Sequence, residues 1–402
     1  MDLYDIIIVG GGAAGFFTAI NAAENNSKLR ILILERGKEV LTKVRVSGGG
    51  RCNVTHAEFI PAELIKRYPR GEKELRGPFH KFMTGDTISW FEERGIELKT
   101  EEDGRMFPVT DSSQTIIDCF TKECKRLNID VRKGHSLKSF KKIEDTWQIE
   151  TNSGSFQAQN LMLATGSNSK IWNLLEKMGH SIVPAVPSLF TFNIQDQRIK
   201  DLAGIASDAD VKILHEDLES SGPLLITHWG MSGPAILKLS AWGARELNKL
   251  EYNFKISVNW LPGKSETDIV EELKELKFSV SKQQVSTRPQ FDLPKRLWQS
   301  IVLASNIKQE TKWADLNKEQ LKQLSEQLTA AIYQVNGKST FKEEFVTAGG
   351  IDLKEVDFKT FESKLHKNLY FAGEILNIDA ITGGFNFQNA WTGGFLAAKA
   401  MS

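Results

Sequence analysis

The sequence predicts an α/β protein: a discontinuous Rossmann-like domain interrupted by a β-rich insert and a small helical region. Three observations carry this expectation. A β-branched run, Ile6-Ile7-Ile8-Val9, leads directly into Gly10-Gly11-Gly12-Ala13-Ala14-Gly15. A second glycine-rich element, Thr382-Gly383-Gly384-Phe385-Asn386-Phe387-Gln388, heads a helical stretch some 370 positions later. Between them the character of the chain changes twice, after Pro184 and Pro187 and again after residue 260.

Residues 6–9 form a run too short for a helix and read as a buried, parallel strand. Residues 13–26 carry Ala14, Phe17, Ile20, Ala22 and Ala23 without a breaker and predict a helix; residues 30–35 predict the next buried strand, completing a βαβ unit. Residues 38–55 are rich in glycine and polar residues. Residues 61–97 read as mainly helical, ending at Gly95, and 114–127 as a helix with Ile116, Ile117, Phe120 and Leu127 on one side. Alternation over 129–151 suggests strands, and Leu161-Met162-Leu163-Ala164 is a short buried strand ending in Thr165-Gly166. Residues 188–260 mix β-like pieces (189–194, 211–214 and 252–259) with loops, whereas 265–333 show polar-rich helical periods. A strand over 368–372 runs into Gly373-Glu374, and 385–400 form a final helix.

Composition narrows the function classes. A length of 402 residues suggests two or three domains. Lys plus Arg and Asp plus Glu are both 51, so the net charge is zero. This argues against a protein that wraps nucleic acid or lies on an anionic membrane. The basic stretch Lys122, Lys125, Arg126, Arg132 and Lys133 contains Glu123 and Asp130 and reads as a solvated face. Apolar residues at 41% and charged residues at 25% exclude disordered and fibrous classes. Three cysteines without a close pair exclude a disulfide scaffold or zinc ribbon, and no metal site is expected. The acidic start and the early glycines do not fit a secretory signal. A soluble, cytoplasmic monomer or homodimer acting on a small molecule is the expectation, with no nucleic-acid or membrane partner.

The glycine motifs carry the chemistry. In G-x-G-x-x-G, Gly10 permits a tight turn, Gly12 lets a pyrophosphate approach the backbone, and Gly15 lets helix and strand pack closely. The following helix offers free N–H groups and the positive end of its dipole. Glu35, at the end of the second strand, is placed to accept hydrogen bonds from a ribose. The late element decides between NAD and FAD. A long cofactor needs contacts at both ends, and Glu374 with the 385–400 helix would supply the ribityl and ring contacts. Between the ends of the chain, Val46-Ser47-Gly48-Gly49-Gly50-Arg51-Cys52-Asn53 lets backbone pass close to a flat ligand, and Lys43, Arg45 and Arg51 could neutralise phosphate. Cys52 reads as a small packed residue rather than a nucleophile, because no activating base or resolving cysteine is visible.

These segments, with Ala164-Thr165-Gly166, Thr227-His228-Trp229-Gly230-Met231-Ser232-Gly233-Pro234, Thr347-Ala348-Gly349-Gly350-Ile351 and Tyr370-Phe371-Ala372-Gly373-Glu374, resemble the aminoacetone oxidase family of FAD-binding bacterial oxidoreductases. The resemblance implies a discontinuous FAD-binding domain over 1–187 and 351–402. It implies a β-barrel-like insert over 188–262 and 336–350, with a helical domain over 263–335 nested inside it. Its cofactor contacts would fall on Gly10, Gly12, Ala13, Ala14, Gly15, Glu35, Arg36 and Lys43; on Ser47, Gly48, Gly49, Gly50, Arg51, Cys52 and Asn53; on Val131, Ala164, Thr165 and Gly166; and on Gly373, Glu374, Asp379, Gly384, Phe385, Asn386 and Phe387. Asp379 would sit as a polar residue beside the flavin, and the insert carrying His228, the candidate acid or base, would lie over it.

Two donor classes remain open from the residues. An amine (aminoacetone-like) or an alcohol could reduce the flavin, with dioxygen taking the electrons and forming peroxide. Alternatively NAD(P)H, docking transiently, could reduce it and an enone or steroid-like oxo compound could be the acceptor. No second G-x-G-x-x-G follows a strand, and no C-x-x-C is present. An RNA-modifying flavoprotein and a non-enzymatic FAD-binding module are the remaining alternatives.

Overall fold

The computed structural model describes residues 3–339 and 346–402. Part of the 336–350 segment assigned to the β insert lies outside the described residues. Two compact units divide the chain: 1–186 with 342–402, and 187–341.

The first unit is built on a parallel sheet. Its strands stand in the order Asp130–Lys133, Ile31–Glu35, Leu3–Val9, Gly154–Leu163, Leu369–Phe371. Short antiparallel strands at Glu362–Ser363 and Val356–Asp357 extend one edge. Ile6, Ile7 and Ile8 are fully buried, as a continuous β-branched run with helices on both faces requires. From Leu3–Val9 the chain first fills one side of the sheet, with Ile31–Glu35, and only later the other, with Gly154–Leu163. That reversal is a topological switch point, outside which open α/β sheets bind ligands at the carboxyl ends of their strands. Helices Ala13–Asn25 and Phe385–Met401 share an aromatic cluster in which Phe17 lies 5.2 Å from Trp391 and 4.6 Å from Trp90.

Several expectations shift in detail. The strand expected at 161–164 is the end of the ten-residue strand Gly154–Leu163. Its first half pairs antiparallel with Thr146–Thr151 and alternates in polarity. Its second half is enclosed by the parallel strands Leu3–Val9 and Leu369–Phe371, and only there is the sequence continuously apolar. The glycine-rich region contains a short helix, Thr42–Gly50, whose regular part stops before Ser47. The helical stretch 61–97 is broken into Pro61–Leu64, Glu72–Phe79 and Thr84–Glu92. A small antiparallel sheet of Thr55–His56, Arg105–Pro108 and Leu98–Thr100 escaped the sequence reading because its strands are two to four residues long.

The second unit carries a seven-stranded antiparallel sheet in the order Ala331–Asn336, Asn253–Asn259, Ala206–Ile213, Glu219–Thr227, Gly230–Ser232, Thr191–Asn193, Lys338–Ser339. The strands at the two ends of that order are consecutive in the chain, separated only by Gly337. The sheet therefore curls back on itself in barrel-like fashion. Helices Glu266–Ser279, Lys295–Ala304 and Lys318–Thr329 lie in the stretch expected to be helical. Val211, Ile226, Ile256 and Tyr333 of the strands belong to one buried apolar cluster with Ile269, Trp298, Trp313 and Leu324 of the helical region. The change of composition at 262–263 thus marks a change of secondary structure within one core. No helix among the described residues is long and apolar enough to cross a membrane.

Candidate functional site

Three parallel strands end side by side at the switch point: Val9 pairs with Leu163, and Leu163 with Phe371. The residues that follow are Gly10, Ala164 and Ala372, each the start of a motif read from the sequence. Gly10 has φ of +120°, and a Cβ there would overlap the Ala164 carbonyl oxygen; a Cβ on Gly15 would overlap the Gly10 carbonyl. Both glycines are therefore required by the fold itself. Gly12 is different. Its backbone is extended (φ −98°, ψ −168°) and a Cβ would meet no heavy atom within 4 Å. Gly12 caps helix Ala13–Asn25 without any side-chain hydrogen bond, and no acidic residue stands in the first turn. The first-turn N–H groups and the positive end of the helix dipole are thus left to a ligand, and the space over Gly12 is open to it.

Glu35 closes this loop. Its carboxylate accepts hydrogen bonds from Gly11 N at 2.9 Å and Gly37 N at 2.6 Å. A carboxylate has about four lone-pair sites, so two remain for ribose hydroxyls. Arg36 is exposed beside it, and Val131, half-buried, pairs with Ile33 on the neighbouring strand.

The three cations expected to neutralise phosphate each have partners within the chain. Lys43 forms an ion pair with Glu374. Arg45 Nη1 donates to Gln114 Oε1 at 2.8 Å. Arg51 pairs with Glu101 at 2.6 Å and Asp111 at 3.5 Å, and its guanidinium lies 3.9 Å from the centre of the Phe107 ring. Arg51 thereby ties the small antiparallel sheet to the glycine-rich loop.

The loop itself is tightly specified. Ser47 is extended and Gly48 and Gly49 are left-handed; Cys52 N donates to Ser47 O at 3.0 Å, and Cys52 itself has φ of +63°. Cys52 is fully buried, and burial pushes its thiol up to about 12 against a weak opposing hydrogen bond from Ser47. It is a packed thiol without nucleophilic character. Asn53, oriented so that its Oδ1 accepts from Gly384 N at 3.0 Å, donates to Thr55 O at 2.9 Å.

Gly384 (φ +91°) caps the helix Phe385–Met401, again with no side-chain cap and no acidic residue in the first turn. The turn before that helix is held at several carbonyls. Tyr68 Oη donates to Phe385 O at 2.6 Å. His56 Nδ1 lies 3.1 Å from Gly383 O, with its ring 4.5 Å from that of Phe385; burial lowers the His56 pKa, which favours the neutral ring. Asn386 Oδ1 accepts from Ala380 N at 3.0 Å, and Phe387 stacks on Trp391 at 5.5 Å. The side chain of Asp379 is wholly buried and forms a two-pronged ion pair with Arg70, which anchors the loop. His56, Tyr68 and Arg70 escaped the sequence reading; only His56, three positions after Asn53, stands near a motif.

Ala164 continues the central strand through a 2.8 Å bond from its N–H to Val9 O. The hydroxyl of Thr165 is buried without a partner, and Gly166 (φ +61°) lies against Glu374. Gly373 stands between Ala14 and Ala390, where a Cβ would make ordinary contact with both. A bare helix N-terminus, the orphaned Thr165 hydroxyl and the carboxylates of Glu35 and Glu374 gather at these strand ends in the first unit, which also holds the bare N-terminus of Phe385–Met401. This set suits a ligand with a phosphate portion and an electron-accepting ring, and FAD has both. His228 belongs to the second unit, exposed at the two-residue turn between Glu219–Thr227 and Gly230–Ser232. Among the described residues no group of three or more His, Cys, Asp or Glu is placed to hold a metal ion.

The HI0933-like protein Rossmann domain matches residues 4–400. The chain belongs to the HI0933-like family. Among its relatives, a ribosomal RNA dihydrouridine synthase of Haemophilus influenzae is 28% identical over 98% of this chain and 98% of its own. A 3-dehydro-bile acid Δ(4,6)-reductase of Clostridium scindens is likewise 28% identical, with 98% of each chain covered. Of solved structures, the 3-ketosteroid Δ1-dehydrogenase of Sterolibacterium denitrificans superimposes with a TM-score of 0.53 at 10% identity, covering 100% of this chain and 99% of its own. Such a likeness shows that the HI0933-like chain shares this fold.

Proposed function

We propose that this FAD-dependent oxidoreductase reduces a carbon–carbon double bond conjugated to a carbonyl, with NAD(P)H as electron donor. The observation that carries the reading is the bare helix N-terminus of Ala13–Asn25 at the switch point, with a second bare helix N-terminus, that of Phe385–Met401, in the same unit. The bond type is supported by the relatives. A dihydrouridine synthase saturates the C5=C6 bond of uracil, conjugated to a ring carbonyl. A Δ(4,6)-reductase acting on a 3-oxo bile acid saturates bonds of the same kind.

The first-turn N–H groups of Ala13–Asn25 would hold the pyrophosphate, and Glu35 would accept hydrogen bonds from the adenosine ribose. Glu374, kept in place by Lys43, would accept from the ribityl hydroxyls. The N-terminus of Phe385–Met401 would stabilise negative charge at the pyrimidine end of the ring. FAD, when bound, supplies a two-electron carrier that takes hydride from one partner and passes it to another. Saturating a conjugated bond also consumes a proton, and we assign its delivery to His228, the candidate acid or base of the insert. Three buried thiols, with Cys119 raised to about 11 and Cys52 and Cys124 to about 12, disfavour thiol-based redox chemistry.

Anaerobic mixing tests the reading. Flavin absorbance should bleach with NADPH or NADH and recover on adding a small cyclic enone. Bleaching by aminoacetone alone, with peroxide on re-aeration, would establish the oxidase reading instead. Unchanged enone turnover in His228→Ala would remove that residue from the mechanism.

A further inference from the structure

His56 grips the last peptide before the helix Phe385–Met401. Its Nδ1 lies 3.1 Å from Gly383 O. A carbonyl only accepts, so Nδ1 carries the proton and the neutral ring keeps its lone pair on Nε2. The same peptide continues into Gly384 N, which donates to Asn53 Oδ1 at 3.0 Å. A peptide polarised at its oxygen is a stronger donor at its nitrogen, so the two bonds support each other. The ring lies 4.5 Å from that of Phe385, and a Cβ on Gly383 would fall 3.2 Å from Nδ1. The peptide so held leads into Phe385, Asn386 and Phe387, whose N–H groups have no intrahelical partner.

Nε2 is left for a second proton. It faces the turn at Gly104, where a Cβ would stand 2.6 Å from it. Among the described residues Nε2 has no hydrogen-bond partner. Burial, the largest influence, lowers the His56 pKa and keeps the ring neutral near pH 7. Of the charged groups around it, Arg67 also opposes the charged form, while Asp103 and Glu58 favour it. Arg67 lies 3.8 Å from Glu58. Arg105, opposite His56 on the neighbouring strand, pairs with Asp103 and Glu101. Tyr68 stays neutral, because burial holds its hydroxyl well above the ordinary value. The helix contributes no acidic residue in its first turn, and the positive end of its dipole disfavours a charged imidazole. A negative charge arriving at that end reverses this balance.

We propose that His56 is a proton-linked positioning residue of the flavin site, holding Gly383 in place and taking up a proton at Nε2 when the bound flavin is reduced. The inference rests on the assignment of the pyrimidine end of the flavin to the N-terminus of Phe385–Met401, and not on the identity of the final acceptor. Two electrons enter with two protons, one proton borne by the flavin and one by His56. The electrons come from NAD(P)H or, in the test, from dithionite. The imidazolium adds to the helix dipole and offsets the negative charge that reduction leaves at the pyrimidine end.

The test reads the midpoint potential of the FAD-loaded protein against pH by dithionite titration. One proton per two electrons shifts the reduction equilibrium tenfold per pH unit, about 30 mV, and two protons shift it a hundredfold, about 60 mV. The parent should show a segment of about 60 mV per pH unit around neutrality. His56→Asn keeps a donor toward Gly383 O but cannot titrate. It should bind FAD within about threefold of the parent, because the amide replaces the Nδ1 donor. Its slope should fall to about 30 mV per pH unit, and at pH 7 its potential should lie about 30 mV lower, a tenfold loss. Thermal melts check folding, and His56→Gln replaces the Asn variant if that one unfolds. His80→Gln, at an exposed histidine of the same unit, should match the parent. Nitrogen-15 histidine NMR at pH 7 should show His56 neutral in the oxidised protein and doubly protonated in the reduced one. A His56 resonance unchanged on reduction overturns the proposal. Superimposable parent and variant curves at a potential above that of free FAD overturn the role of His56 alone. A parent potential no higher than that of free FAD overturns the ring placement and the proposal with it.

Discussion

Replacing Gly12 by Val separates a glycine kept for its ligand from glycines kept for the fold. The backbone at Gly12 is extended, a conformation valine adopts without strain, and a Cβ there meets no heavy atom within 4 Å. As an N-cap, glycine gives up at most about 1 kcal/mol to an apolar residue, so the cofactor-free variant should melt within a few degrees of the parent. The added isopropyl group, however, fills the space over the first helical turn. Loss of two charge-assisted hydrogen bonds to the pyrophosphate, at about 1.5–3 kcal/mol each, amounts to about 3–6 kcal/mol, or roughly a 10²- to 10⁴-fold weaker Kd. Titrating cofactor-free protein with FAD and following quenching of flavin fluorescence measures this, beside a thermal melt of the same sample. The contrasting variant Gly10→Ala should lower the melting temperature even without FAD, because its Cβ collides with the Ala164 carbonyl. Parent-like FAD affinity in Gly12→Val would refute the placement of the pyrophosphate.

Asp379→Asn should destabilise the protein by about 3–5 kcal/mol, because it leaves the guanidinium of Arg70 without its buried counter-charge; urea unfolding measures this, and an apolar replacement of both residues should recover part of the loss. The cysteines should resist alkylation at pH 8 in the folded protein and react only in denaturant, since burial raises all three thiols well above that pH. His180 is lowered chiefly by burial, against hydrogen bonding to Glu355 at 2.8 Å. The unfolded chain therefore binds its proton more readily, and stability present above the ordinary histidine pKa is lost as pH falls through the lowered one. Melting temperature should drop with acidification below about 6.5, and His180→Gln should flatten that slope.

Legibility in the sequence followed the range over which each signal acts. The strand Leu3–Val9, its glycine turn and the next helix were readable because a β-branched run and three glycines are local constraints. The helix Phe385–Met401 was readable for the same reason. The partnership of Asp379 with Arg70 was not, since 309 positions separate them and each alone is an ordinary charged residue. The fates of Lys43, Arg45 and Arg51 were hidden likewise: their carboxylate and amide partners lie on elements that only the folded chain brings near. Tyr68 left no trace, because a buried tyrosine donating to a carbonyl has the sequence signature of any core aromatic. The shared core of the second unit was obscured by composition, since Trp298 and Trp313 sit in a polar stretch whose helices hide one apolar face.

The order of strands in the first sheet has a consequence for biosynthesis. Leu3–Val9 emerges from the ribosome first, yet its neighbour Gly154–Leu163 needs Leu369–Phe371 to cover its edge. At about 5–20 residues per second, that apolar edge waits on the order of tens of seconds, while the antiparallel sheet of the second unit can close from its own segments. FAD cannot shorten the wait, because the second bare helix terminus belongs to Phe385–Met401 and is made later still. Nascent chains stalled before residue 369 should therefore be the species that chaperones hold, and cofactor supply should alter the yield of finished protein only after release.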